Sequence, residues 1–223
     1  MIIGIIPARK GSSTITNKAF YNLCGQPMLA YTVNAAINSQ LKRIIVSADY
    51  DKEEMVPLLK DSRIEYVIRP EEYCHGYLPA TVAIDHLLEN NVIKEDDVIC
   101  FLQPTSPLRD GLDIDKALLC YLMGRKETLV SVTKAYPTKK LYTFQGDKLT
   151  EENNGYSKEE DELLFVRNSS IYIFPVKYYL ENGTIFSKNP TLYIMPGYKS
   201  IDVDDSDDME HAKLIIQGSV KNA

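Results

Sequence analysis

The sequence has no hydrophobic run long enough to cross a membrane. Spanning a bilayer takes about 18 or more consecutive apolar residues, and the apolar start at residues 1–6 is far shorter. That start has no basic region before it and no small-residue cleavage site after it, so it indicates a first strand and not a signal peptide. We therefore predict no membrane partner.

Cysteine is scarce and scattered. Four cysteines occur, at positions 24, 74, 100 and 120, and no two form a Cys-x-x-Cys pair. This spacing suggests neither a zinc site nor a disulfide framework. Free thiols are typical of reducing compartments, so we expect a cytoplasmic protein.

Two common nucleotide-binding motifs and an excess of positive charge are also missing. Neither GxxxxGK[ST] nor GxGxxG is present. The chain carries 25 lysines and arginines against 31 aspartates and glutamates, a net charge of −6. Nucleic-acid binders usually show a basic face, so we predict no nucleic-acid partner. A small anionic ligand is still compatible with this charge, because a few local cations can outweigh it.

Strand and helix patterns alternate through the first part of the chain. Such alternation is typical of an α/β fold with a mostly parallel sheet and helices on both faces. The length favours a single domain over residues 1–223. The apolar spacing predicts strands at residues 2–6, 43–47, 64–68, 98–102 and 128–132, and helices at 27–39, 52–59, 80–90 and 113–123.

The pattern changes after about residue 134. Gly146 and Asp147 separate two short apolar runs, which predicts a hairpin turn. Residues 151–162 are strongly acidic and are expected to form a solvated loop. Strands at 170–174 and 192–195 and a closing helix at 207–217 complete the predicted elements.

Two polar segments follow predicted strands. Residues 102–109 read Leu-Gln-Pro-Thr-Ser-Pro-Leu-Arg, and their two prolines hold the backbone rigid. Open α/β sheets bind ligands at the carboxyl ends of their strands, where this loop lies. The loop at residues 7–18 combines glycine and serines with Arg9 and Lys18, which predicts a phosphate site. An ordinary turn with exposed cations explains the loop at residues 7–18 equally well.

Together these segments resemble the acylneuraminate (CMP-sialic acid synthetase) cytidylyltransferases and their pseudaminic and legionaminic acid relatives. The resemblance implies a Rossmann-like nucleotidyltransferase fold. It also implies a homodimer, in which a small β-rich insertion at about residues 134–170 reaches toward the partner subunit. The matching segments run in order over nearly the whole chain: residues 6–9, Gly11, Ser12, Lys18, 103–109, 168–172 and 200–204.

The resemblance implies a reaction that joins an acidic nine-carbon sugar to the α-phosphate of CTP and releases pyrophosphate. Catalysis of such a transfer is mainly positioning and neutralisation of charge. Arg9, Lys18 and Asp204 are the implied catalytic residues. The implied nucleotide-binding residues are Pro7, Ala8, Arg9, Gly11, Ser12, Ser13, Asn17 and Lys18.

The sugar is implied to contact Gln103, Arg109 and Asn168. Gln103 carries the amide donors and acceptor that read a hydroxyl. For Arg109 an ion pair with Asp110 or Asp113 is an equally good reading. Asn168 could instead be a turn residue.

Asp202 and Asp204 are implied to bind Mg²⁺ or Mn²⁺. Carboxylates at positions i and i+2 of an extended segment point to the same side, and Mg²⁺ prefers a few hard oxygens together with phosphate and water. The alternative is that this acidic run only favours the start of the last helix.

The chain departs from the family at several positions. Ser13 stands where the family usually has lysine, Ala19 where it has asparagine, and Gly76 near its usual aspartate. Pro79 and Ala80 replace hydroxyl residues. Two alternatives therefore stay open: a degenerate member with a binding or structural role, and a transferase that uses another nucleotide such as GTP.

Overall fold

A seven-stranded sheet forms the centre of the chain, with strand order β11-β7-β10-β6-β1-β4-β5. The computed structural model describes residues 1–11, 14–124, 127–135, 141–145, 148–152 and 164–221. Two further pairs, β2–β3 and β8–β9, form separate small sheets. The strands are β1 Ile2–Pro7, β2 Asn22–Leu23, β3 Gln26–Pro27, β4 Ile44–Ala48, β5 Ile64–Ile68, β6 Val98–Phe101, β7 Leu129–Lys134, β8 Leu141–Gln145, β9 Lys148–Glu152, β10 Phe165–Pro175 and β11 Thr191–Ile194.

Helices cover both faces of this sheet. Alternate residues of β1 point to opposite faces: Ile6 packs in the cluster that holds Leu29 of α1 and Ile114 of α4, whereas Ile5 packs against Ile84 of α3 on the other face. Both clusters are almost fully buried, so the central strands are apolar on both sides, as parallel strands usually are. The helices are α1 Met28–Ile37, α2 Lys52–Met55, α3 Val82–Glu89, α4 Gly111–Met123, α5 Val176–Asn182 and α6 Ser206–Lys221.

The topology brings several polar loops to one edge of the sheet. β1 pairs in parallel with β4 on one side and with β6 on the other, so the strand order reverses at β1. The crevice outside the carboxyl ends of strands at such a switch point is the usual ligand site of open α/β sheets. β10 pairs antiparallel with both β6 and β7, which places its first residues at the same edge.

The predicted mostly parallel α/β sheet with helices on both faces is confirmed, as are its strands and most of its helices. α2 is shorter than expected because Pro57 has no N–H to continue the ladder, and a 3₁₀ turn Val56–Leu58 follows. α5 was not predicted from the sequence. Within the described residues, no helix combines the length and the apolar character that crossing a bilayer requires.

The region after residue 134 is described in part. β8 and β9 pair antiparallel, with Gln145 opposite Lys148, which confirms the hairpin; its turn at residues 146–147 lies outside the described residues. Most of the acidic stretch at 151–162 also lies outside them. The inserted lobe at about 134–170 stays a prediction.

Candidate active site

A cavity of about 490 Å³ opens at the switch point, between the loops that follow β1 and β6. Its walls also include the residue that follows β5 and the segment before α6. Eight residues predicted as site residues line it: Pro7, Ala8, Arg9, Gly11, Lys18, Gln103, Asp202 and Asp204.

Arg9 links the loop after β1 to the loop after β5. Its guanidinium donates to the carbonyl oxygens of His75 at 2.9 Å, of Gly76 at 3.2 Å and of Leu78 at 3.2 Å. Carbonyls are neutral acceptors, so they leave the positive charge of Arg9 uncompensated by these bonds. The cavity therefore keeps this charge available to an anion.

Lys18 links the loop after β1 to the segment that carries the two predicted metal ligands. Its ammonium donates to the carbonyl oxygens of Val203 at 2.9 Å and Asp204 at 3.1 Å. It also lies 3.6 Å from the Asp204 carboxylate, which is itself largely exposed. Lys18 is only 12% exposed, so its charge acts at short range, where screening by water is weakest.

Asp202 and Asp204 meet the requirements of a small hard cation. Asp202 Oδ1 is buried and has no hydrogen-bond partner among the described residues. Burial raises the pKa of Asp202, and the charge of Asp204 acts in the same direction, while the hydroxyls of Ser169 and Thr105 oppose it. No cluster of three or more His, Cys, Asp or Glu side chains occurs in the described part of the chain. Two carboxylates with an unpartnered oxygen fit Mg²⁺ or Mn²⁺, which completes its shell with phosphate and water.

Arg109 is a correction to the sugar-binding prediction. Its side chain is 2% exposed and does not line the cavity. It donates to the carbonyl oxygen of Ser170 at 2.5 Å and to the hydroxyl of Thr32 at 2.8 Å, and burial lowers its pKa to about 10. Lys199, and not Arg109, pairs with Asp110 and Asp113. Arg109 therefore ties α1 to β10 beneath the cavity floor.

Asn168 is a second correction, since its side chain is 3% exposed and does not line the cavity. It accepts from Ser131 Oγ at 2.6 Å and donates to Ser200 Oγ at 2.9 Å. The alternative interpretation of Asn168 as a turn residue agrees better with the structure, because the next residue, Ser169, has a φ of 55°.

Among the residues that the structure describes, not every predicted nucleotide-binding residue lines the cavity. Asn17 lies outside its walls, has a φ of 52° and accepts a hydrogen bond from the Tyr50 hydroxyl at 2.6 Å. It shapes the loop between β1 and β2, and its contact with the nucleotide stays a prediction. Ser12 and Ser13 lie outside the described residues.

Arg69 is a site residue that the sequence analysis missed. It lines the cavity while being 4% exposed. Its Nη2 donates to the Ala8 carbonyl at 2.5 Å, and its Nε is buried without a partner among the described residues. A signal existed: Arg69 directly follows β5, at the same edge of the sheet as the loops after β1 and β6.

Several proteins resemble this chain in sequence over most of its length. A family profile described as "Cytidylyltransferase" matches residues 3–196. The chain is 31% identical to an N-acylneuraminate cytidylyltransferase of Escherichia coli O18:K1:H7, over 97% of this chain and 52% of that protein. It is 30% identical to a CMP-N,N'-diacetyllegionaminic acid synthase of Campylobacter jejuni, over 99% of this chain and 96% of that protein. The chain thus spans about half the length of the N-acylneuraminate cytidylyltransferases that it matches.

A solved structure shares the fold. A CMP:2-keto-3-deoxy-manno-octonic acid synthetase complexed with CTP superimposes with a TM-score of 0.67, at 12% identity, over 98% of this chain and 99% of that one. At this identity the likeness concerns the fold alone. It agrees with the Rossmann-like nucleotidyltransferase fold expected from the sequence.

Proposed function

Because this chain belongs to the cytidylyltransferase family, we propose that it activates an acidic nine-carbon, sialic-acid-like sugar with CTP. The anomeric hydroxyl of the sugar attacks the α-phosphate, a CMP-sugar forms, and pyrophosphate leaves. Relatives named for N-acylneuraminate, pseudaminic acid and legionaminic acid support this substrate class.

One observation carries the proposal: a single cavity brings three cations and two carboxylates together. Arg9 and Lys18 come from the loop after β1, Arg69 directly follows β5, and Asp202 and Asp204 come from the segment before α6. A triphosphate needs the cations, and the cation that accompanies a triphosphate needs the carboxylates. Either group alone would be compatible with many sites.

The cations would bind the triphosphate and stabilise the charge that develops on pyrophosphate as it leaves. Lys18 lies nearest the carboxylates, and Arg69 has a buried N–H still to satisfy. Gln103 would hold a hydroxyl of the sugar through its amide. The nearby Thr14 and Thr105 hydroxyls, which also line the cavity, add polar contacts.

Asp202 and Asp204 would hold Mg²⁺ or Mn²⁺. When bound, the ion would offset the negative charge of the phosphates. The buried, unpartnered Oδ1 of Asp202 is the observation that supports this assignment.

The test is pyrophosphate release, measured for CTP, GTP, ATP and UTP against a panel of acidic nine-carbon sugars with Mg²⁺ or Mn²⁺. We expect release with CTP and at least one sugar. Release with GTP alone would replace CTP in the proposal, and release with no combination would leave only the degenerate, non-catalytic reading. The Ala19 methyl in the cavity wall makes the choice of base worth testing, because it cannot hydrogen-bond.

A pair of variants tests the carboxylates. Asp204→Ala should abolish release without loss of folding, because the hydrogen bonds from Thr14 and Lys18 use the backbone carbonyl of Asp204, and its carboxylate, 3.6 Å from Lys18, is largely exposed. Asp207→Ala removes an equally acidic residue from the first turn of α6, outside the cavity walls, and should leave release unchanged. Retained activity in Asp204→Ala would contradict the metal assignment.

We also propose a homodimer. Exposed apolar side chains lie on one face of the edge strand β11, where Leu192 and Ile194 are 44% and 55% exposed. Apolar side chains at a sheet edge favour association with another chain.

A further inference from the structure

The segment at residues 200–204 carries both predicted metal ligands, yet residues 201–204 belong to no helix or strand. Hydrogen-bonded ladders therefore do not set the positions of Asp202 and Asp204. A two-carboxylate site works only when its oxygens are held in place before the cation binds. The contacts that hold this segment must supply that order.

The second half of the segment is held from the cavity side. The Val203 N–H donates to the Thr105 carbonyl at 2.7 Å, and Lys18 donates to the carbonyls of Val203 and Asp204. The Thr14 hydroxyl donates to the same Asp204 carbonyl at 2.5 Å. These bonds fix the backbone around Asp204.

The first half is held by Asn168. The Asn168 amide donates to Ser200 Oγ at 2.9 Å, two residues before Asp202. Ser200 Oγ in turn donates to the Pro196 carbonyl at 2.9 Å. One hydroxyl thus connects the turn after β11 to the start of the carboxylate segment.

Asn168 is itself rigidly placed. Its Oδ1 accepts from Ser131 Oγ of β7 at 2.6 Å and from the Ser170 N–H at 3.3 Å. It lies where the register between β7 and β10 shifts, between Arg167 and Tyr172. Such bulges are common next to active sites, where they redirect a side chain. An amide suits this place because it accepts on the sheet side and donates on the segment side.

We propose that Asn168 is a positioning residue, which orients Asp202 through Ser200. This inference depends on the proposed function, because the metal is part of that reaction. In place of the sugar contact expected for Asn168, it assigns this residue to holding the segment that carries the carboxylates.

Two variants test the link from its two ends. Ser200→Ala removes the acceptor at the segment, and Asn168→Ala removes the donor in the sheet. Hydrogen exchange of residues 200–204, without any ligand, should be faster in both.

Loss of one such bond should weaken Mn²⁺ binding in the presence of CTP about fivefold. It should raise the Mn²⁺ concentration for half-maximal pyrophosphate release by a similar factor, with a smaller change in kcat. Ser200→Thr keeps the hydroxyl and should restore all three.

A matched control separates positioning from general loss of stability. Ser187→Ala removes a hydroxyl that lies 2.9 Å from Thr128 Oγ1, before β7 and at the far end of the sheet from the cavity. It should lower thermal stability about as much as Ser200→Ala does, with no change in Mn²⁺ binding or in exchange of residues 200–204.

The outcomes distinguish this inference from the proposed function. A native chain that neither binds Mn²⁺ with CTP nor releases pyrophosphate would refute the proposed function. A native chain that does both, beside a Ser200→Ala variant with native exchange and native Mn²⁺ affinity, would refute the positioning role. If Asn168→Ala does not fold, Ser200→Ala and its Ser200→Thr rescue decide the matter.

Discussion

The three cations that line this cavity differ in how many of their N–H donors already form hydrogen bonds within the protein. Arg9 donates to three backbone carbonyls and Lys18 to two. Arg69 has only the Ala8 carbonyl on Nη2, and its Nε is buried and unpartnered among the described side chains and backbone. A buried donor without a partner is costly, so an anion that reaches it gains more than at an exposed cation.

Arg69→Gln should therefore raise the KM for CTP. A charge-assisted hydrogen bond contributes about 1.5–3 kcal/mol, which corresponds to a change of about 10- to 150-fold. Steady-state pyrophosphate release measures it. Arg43, which precedes β4, pairs with Glu65, and Arg43→Gln should leave the KM for CTP unchanged. An unaltered KM in a folded Arg69→Gln protein would exclude Arg69 from the nucleotide site.

Lys199 is a second informative residue, because it joins the turn after β11 to the start of α4. Its ammonium contacts Asp110 at 2.5 Å and the buried Asp113 at 2.8 Å. Burial opposes ionisation of Asp110, but the hydrogen bonds from Lys199 and from the Asp113 backbone outweigh it, and the pKa of Asp110 is lowered. A lowered pKa contributes stability above the unfolded value of about 3.9, and that contribution is lost as the pH falls through the folded value.

Lys199→Met should lower the free energy of unfolding at neutral pH by about 1–3 kcal/mol, since it leaves the buried Asp113 without its cation. The loss relative to the native chain should shrink as the pH falls below about 4 and through the lowered pKa of Asp110. Urea unfolding between neutral pH and about pH 3 measures both effects. Lys177→Met breaks an exposed pair with Glu181 and should change the free energy of unfolding little at any pH. A loss of stability in Lys199→Met that did not vary with pH would contradict the linkage.

Elements pack where side chains leave room, and α1 meets α4 at a glycine. A Cβ on Gly111 would lie 2.4 Å from the Asn38 carbonyl oxygen and 3.1 Å from that of Ala35. The end of α1 thus lies directly against the first turn of α4. This contact fixes α4, whose preceding loop carries Gln103 into the cavity.

Gly111→Ala should destabilise the fold by about 1–3 kcal/mol, because backbone must move to admit the methyl. Thermal unfolding measures the loss. Gly197→Ala is the matched control, since its Cβ would meet only Thr133 Oγ1 at 3.9 Å. If both variants melted alike, the close approach of α1 and α4 would not be a constraint.

At the scale of the whole molecule, the sheet ends in an edge strand, β11, which pairs with β7 alone among the described strands. Ile194, Val132 and Arg167 lie in register across β11, β7 and β10, so they share one face. Val132 is buried, whereas Ile194 is exposed. The apolar side chains of this face thus extend from the buried Val132 to the exposed Ile194 at the edge of the sheet.

The homodimer predicts a native mass twice that of one chain, by light scattering after size exclusion. Ile194→Lys should shift the protein toward monomer, since it would place a charge in the interface. Leu214→Lys changes a similarly exposed residue of α6 and should leave the dimer intact. A monomeric native chain would contradict the dimer, and a dimeric Ile194→Lys variant would contradict this face.

Much of the fold was predictable because its signals are local. Apolar spacing marked β1, β4, β5 and β6, and proline and glycine marked the ends of several elements. The helix α5 was missed because its seven residues follow β10 without a break. For the site, the rule that ligands lie beyond the carboxyl ends of strands found Gln103 and the loop that holds Arg9 and Lys18.

The sequence alone determined the order of elements, the edge of the sheet that carries the cavity, and the family. Which polar side chains face that cavity depends on the packing of the folded chain. Arg109 is buried by partners 61 and 77 positions away, and Asn168 reaches a serine 32 positions away. Burial of a polar side chain depends on such distant partners, since it is tolerated only where hydrogen bonds satisfy it. Spacing along the chain could therefore not distinguish Arg69, which faces the cavity, from Arg109, which lies beneath it.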